Sequence, residues 1–238
     1  MAMACLAPQG INGCGFEQPL EAMYQGLTRS DTDGEDEVGF IRAEAHLVVV
    51  FVTDEADCSY KDEWSEIFEP DGDRVFWSDP ESSFPTSAVC WNAGVACTGG
   101  SGTPYDECHA VDYDVSGNET DAASSVLHPL SRYVDRLDEI EQQKVAGEVR
   151  VMAIFGQTAE GDFVYSDASA TDPEFMDTYG IGPGCRSGEI DGVPPVRIRE
   201  LANMVNPAPD EGFYSICSPD FAPILEDIAD RVVQLSTP

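Results

Sequence analysis

The chain has 238 residues, 42% of them hydrophobic, enough for one large domain or two small ones with a packed core and too apolar for a disordered chain. Asp and Glu number 45 against 12 Lys and Arg, a formal net charge of −33, and so negative a surface repels nucleic acid and anionic lipid while attracting cations. No stretch approaches the roughly 18 consecutive apolar residues of a membrane-spanning helix, so no span is expected.

In chain order, the opening MAMACLAPQG carries neither a charged leader nor a long apolar core, and it forms no export signal. Over residues 17–27, Leu20, Met23, Tyr24 and Leu27 fall at helical spacing behind Phe16, and Pro19 is tolerable in the first turn. An acidic loop, SDTDGEDE at 30–37, follows and does not fit a calcium-binding EF-hand. Then comes HLVVVFVTDEADC at 46–58, around which the rest is organised. Its apolar run shows no alternation and is rich in β-branched residues, which predicts a strand buried on both faces. Asp54, Glu55 and Asp57 follow directly. Ligands of open α/β sheets sit outside the carboxyl ends of the strands, so Asp54 lies where a functional residue is expected.

Residues 55–122 have little periodicity and hold Cys90, Cys97 and Cys108. They read as an insertion pinned by disulfides, with some short helix or hairpin inside. Within it, Asp112, Asp114, Ser116 and Gly117 match the opening of a calcium loop, but the twelfth position is Ala123 where a bidentate Glu is needed. Residues 127–144 predict an amphipathic helix with Leu127, Leu130, Val134, Leu137 and Ile140 on one face and Pro129 in its first turn. VRVMAIF at 149–155 is a second buried strand, and the order strand, helix, strand predicts a parallel pair. A Gly- and Pro-rich loop, a helix near 195–205 and a short strand at 213–217 come next. Ser218 then caps a last helix whose buried face is Phe221, Ile224, Leu225, Ile228, Val232 and Leu235.

The eight cysteines, Cys5, Cys14, Cys58, Cys90, Cys97, Cys108, Cys185 and Cys217, include no C-x-x-C pair, and His46, His109 and His128 lie at no zinc-ligand spacing. Disulfides in an oxidising compartment are expected instead. By position, Cys185 ties to Cys217, and two of Cys90, Cys97 and Cys108 pair locally. A Cys14 to Cys58 bond beside Asp54 is a further hypothesis. Many disulfides without an export signal suggest missing upstream sequence and a secreted, periplasmic or cell-surface protein.

Taken together, GCGFEQPLEAM, FIRAEAHLVVVFVTDEADCS, HPLSRYVDRLDEIE, VRVMAIFG and FYSIC before SPDFAPILEDIADRV resemble the later part of von Willebrand factor type A domains, most of all those of exported bacterial proteins. The resemblance implies an α/β fold: a three-layer, doubly wound, mainly parallel sheet of Rossmann-like form that lacks its first strands. Residues 1–238 are then a single partial domain with a disulfide-rich insertion at about 55–122. The family's metal-ion-dependent adhesion site holds one Mg²⁺ or Ca²⁺ at the carboxyl edge of the sheet, and the metal's open position takes a carboxylate from a protein partner. Asp54 matches the family's last ligand, and Glu55 stands where a glycine often follows it. No D-x-S-x-S occurs anywhere, and the loop where the family places a Thr reads Gly13-Cys14-Gly15.

The expectation is therefore an exported binding or adhesion module with a divalent-cation site at Asp54, Asp57 and Glu17. The alternative is a metal-assisted hydrolase that activates water with the carboxylates around Asp54. Against it, the chain has no G-x-S-x-G, no H-E-x-x-H and no Walker loop. A third reading is a structural domain with no metal. In every case a missing first strand leaves one edge of Leu47–Val52 unpaired, an aggregation liability and a route to dimers.

Overall fold

The computed structural model describes residues 15–99, 104–188 and 190–235. Helix α1, Pro19–Arg29, opens the described chain with Pro in its first turn, where a missing N–H costs nothing. Strands β1, Leu47–Val52, and β4, Val149–Phe155, run parallel in continuous register from Leu47 opposite Val149 to Val52 opposite Ile154. Strand β7, Phe213–Ser215, adds to the far side of β4, again parallel, for the order β1-β4-β7. The fold is thus mixed α/β around a parallel sheet, as the strand, helix, strand order predicts.

One face of the sheet carries the main core. Leu20 and Leu27 of α1, Tyr133, Leu137 and Ile140 of α3 (Leu130–Gln142), and Ile198 and Leu201 of α5 (Val196–Val205) pack on Phe51, Val149, Val151 and Phe155. Each such side chain fully withdrawn from water contributes about 1.5–3 kcal/mol. Helix α6, Ala222–Leu235, approaches from the opposite side, where its Leu235 and Gln234 meet Met152 across a cleft. Here the prediction holds only in part. No α6 residue is buried, and Leu225 and Val233 are exposed. Nor does Ser218 cap the helix: the Ala222 amide is held by the Asp220 carboxylate. Phe221, Ile224, Ile228, Val232 and Leu235, five of the six residues of the expected face, are half-buried, so the apolar side of the helix is only partly covered.

The insertion is more structured than its sequence suggests. It contains a 3-10 helix, Asp62–Phe68, the short α2, Ala88–Asn92, and an antiparallel hairpin of β2, Val95–Thr98, with β3, Glu107–Ala110. Trp77, Ile67, Val89 and Leu127 make one small core there, and Trp91, Val95, Tyr165 and Phe175 make another. Two elements in the later Gly- and Pro-rich loop are unpredicted: α4, Pro173–Tyr179, capped by Asp172 and closed by Gly180 in the left-handed region, and the hairpin of β5, Cys185–Ser187, with β6, Ile190–Gly192.

Disulfides join Cys58 to Cys90, Cys97 to Cys108 and Cys185 to Cys217. The last two agree with expectation. Cys58 does not pair with Cys14; its partner is Cys90, 32 residues on, which anchors the insertion to the end of β1. Cys5 and Cys14 lie outside the described residues. Three such bonds suit an oxidising compartment, and no described helix is long and apolar enough to cross a membrane.

Candidate binding site at the carboxyl end of the first strand

Where β1 ends, Thr53 is buried and its backbone still bonds the sheet, donating to the Ile154 carbonyl. Its hydroxyl, pinned there, donates to Glu17 Oε2 at 2.9 Å and accepts from the Glu55 amide at 3.1 Å. One threonine therefore holds two acidic residues from different parts of the chain at the same strand end. Asp54 between them is exposed, and its carbonyl accepts from Val193, which fixes the backbone on which the carboxylate rides.

Glu55 is the perturbed group. Burial pushes its carboxyl up to about 7; the hydrogen bond from Ser87 Oγ, at 3.0 Å, opposes the rise, and the charges of Glu17 and Asp54 add to it. Tyr179 responds to the same field: burial raises its hydroxyl first, and Glu55, Asp54, Asp191 and Glu17 raise it further. Ser87 belongs to the insertion, immediately before α2, and the Cys58–Cys90 bond carries it to Glu55. The insertion thus helps build this strand end.

Of the three residues expected to bind metal, Glu17 and Asp54 come together, while Asp57 does not join them. Asp57 is 2% exposed. Its Oδ1 accepts from the Leu20 amide at 3.1 Å and from Ser59 Oγ at 2.6 Å, and its Oδ2 accepts from Arg197 Nε at 3.0 Å. It caps the first turn of α1 and neutralises a buried guanidinium, leaving no free face for a ligand. Asp114 likewise accepts from the Ser116 and Asn118 amides in a tight turn. Glu55, the residue that sequence reasoning passed over, takes the place Asp57 vacates. Its position straight after a strand that ends in Thr-Asp was the only available signal.

Hard divalent cations take six or more oxygens. Among the described residues, no group of three Asp, Glu, His or Cys side chains is arranged to hold a metal ion. The donor set at Glu17, Asp54 and Glu55 is therefore no preformed cage for the Mg²⁺ or Ca²⁺ that the resemblance implies. What it offers is concentrated, partly desolvated negative charge, which an ammonium or guanidinium group satisfies with one or two charge-assisted hydrogen bonds.

No protein-family model matches the chain, and neither the curated proteins nor the solved structures contain a significant match to it.

Proposed function

We propose that this chain is an exported binding module whose contact site is the carboxyl end of β1, where Glu17, Asp54 and Glu55 receive a cationic group of a protein partner. The observation that carries the reading is the convergence of Glu17 and Glu55 on the buried Thr53 hydroxyl beside the exposed Asp54, an arrangement in which burial and the two acidic neighbours push the Glu55 carboxyl up. Carboxylates perturbed by burial together with specific charged neighbours cluster at functional sites. A cation at this spot relieves the repulsion that the free protein tolerates. The partner is basic, in keeping with the net charge of −33. The family likeness and the three-layer form it implies agree with a site at the carboxyl edge of a parallel sheet but are not needed for it.

Calorimetric titration at physiological salt tests this reading, with tetralysine and Ca²⁺ each added to the chain and to its Asp54→Asn, Glu55→Gln double variant. Tetralysine binding that weakens about tenfold or more in the variant supports the proposal. Equal binding by both proteins means the peptide sees only bulk negative charge, and the proposal fails. Saturable Ca²⁺ binding lost in the variant would replace it with the metal-bridged form, in which the partner supplies a carboxylate.

A further inference from the structure

Among the described residues β1 pairs only with β4, and no described strand covers its other edge. The Leu47 amide donates to the Glu148 carbonyl and the Thr53 amide to the Ile154 carbonyl, which assigns the odd-numbered residues of β1 to the β4 ladder. In a parallel pair the intervening residues turn both N–H and C=O the other way. Val48, Val50 and Val52 therefore present unpaired donors and acceptors along that edge. Natural edge strands are shielded by a charge, a proline, a bulge or extreme shortness. The six residues LVVVFV have none of these.

The surroundings are apolar too. Val50 and Val52 are 40% and 64% exposed, and Phe40 is 72% exposed. A groove of about 760 Å³ runs beside the strand, lined by Ala22, Met23 and Leu27 of α1, by Val48 and Val50, and by Phe40. The exposed Val50, Val52 and Phe40 beside this groove leave room for the apolar side chains of an added strand.

Acidic residues stand near both ends of the strand edge. Helix α1 begins at the carboxyl end of β1, where Glu17 meets Thr53 and Leu20 meets Asp57. Beyond its last turn Gly39 bonds back to Ser30, and Asp36 and Glu37 line the groove there. One end thus carries Asp36 and Glu37, the latter facing Arg29 at 4.0 Å, and past the other, beyond the groove lining, stand Glu17, Asp54 and Glu55.

We propose that this edge of β1 takes an additional β-strand from a protein partner, apolar over about six residues and flanked by Lys or Arg. Backbone bonding to Val48, Val50 and Val52 supplies the pairing, the groove takes the apolar side chains, and the basic flanks meet the acidic ends. Charge decides the occupant. A second copy of this chain brings its own acidic 30–37 loop and a net charge of −33 to the same contact, and the two edges repel. The charge match at the carboxyl end rests on the reading of the carboxylate cluster above; the backbone edge does not.

The test is fluorescence anisotropy on the oxidised chain with a labelled peptide of alternating valine and threonine and a lysine at each end. One control peptide is N-methylated on the alternate amides that would pair, and another carries glutamate flanks. The expected result is saturable binding of the lysine-flanked peptide, weakened at least tenfold by N-methylation and by the glutamate flanks. Val50→Pro removes an edge donor while sparing the β4 ladder, and it abolishes binding. If that variant does not fold, the N-methylated peptide still decides the matter on the unmodified protein. Equal binding of the N-methylated peptide, or no saturable binding, overturns the proposal. So does a wild-type dimer in sedimentation that Val50→Pro dissociates, because a second copy then holds the edge. Glu17→Gln and Glu55→Gln variants that bind the lysine-flanked peptide like wild type leave the edge proposal standing and bring down the cluster reading alone.

Discussion

Asp57 and Arg197 form a buried ion pair, Oδ2 to Nε 3.0 Å, with side chains 0% and 3% exposed. The same guanidinium donates to the His128 carbonyl, and the same carboxylate holds the start of α1, so the pair joins α1, the turn after β1, the approach to α3 and α5. Removing one partner of such a pair strands the other charge in the core. Asp57→Ala is therefore expected to cost about 3–5 kcal/mol of stability in urea unfolding. Asp54→Ala, at an exposed position, is expected to change stability by less than about 0.5 kcal/mol. Comparable losses in both would mean that Asp54 too is structural.

The Glu55 carboxyl has a defined consequence for stability against pH. Its folded-state value of about 7 lies above the ordinary 4.5, so between those values the folded chain binds the proton more tightly than the unfolded chain. Stability from this group is full below about pH 4.5, falls as pH rises towards 7 and is flat above it. Glu55→Gln removes the fall, and the variant gains on wild type as pH rises through that window. Urea midpoints of the two proteins across pH 4–8 check the sign. A widening gap in the opposite direction would show that the carboxylate is stabilised by a cation in the free protein.

Gly156, just after β4, is a packing requirement. A Cβ placed there meets the Val193 carbonyl oxygen at 2.1 Å. Gly156→Ala is expected to cost about 1–3 kcal/mol or more by forcing the backbone before α5 away from the sheet. Since Val193 also bonds the Asp54 carbonyl, the change is expected to disturb the carboxylate cluster as well, visible as altered Asp54 amide shifts.

The Cys58–Cys90 bond closes a stretch of 32 residues, for which the chain-entropy estimate is about 3–4 kcal/mol. Replacing both cysteines by serine is expected to lower stability by about that amount. Non-reducing peptide mapping should recover Cys58 with Cys90 and not with Cys14.

The parallel pair of β1 and β4 was legible because both strands are long unbroken apolar runs with a strongly periodic helix between them. The hairpin at 185–192 and helix α4 were not: three-residue strands and a seven-residue helix are set by a disulfide, a cap and a left-handed glycine rather than by hydrophobic period. At the site, the placement of Asp54 followed from the rule for strand ends, whereas Glu17 was named beside it only through the family resemblance. Asp57 and Glu55 exchanged roles because burial and partner, which distinguish them, depend on Arg197 and Ser87, 140 and 32 residues away. No local pattern carries that information.

The central claim is that Glu55 sits in a cluster whose negative charge awaits a cation. The most direct measurement is a ¹³C NMR titration of the Glu55 carboxyl in wild type, in Asp54→Asn and in Ser87→Ala. The expected midpoint is near 7 in wild type, lower in Asp54→Asn and higher in Ser87→Ala, with added tetralysine drawing the wild-type value down. A wild-type midpoint at the ordinary 4.5, unmoved by either substitution, would contradict the claim.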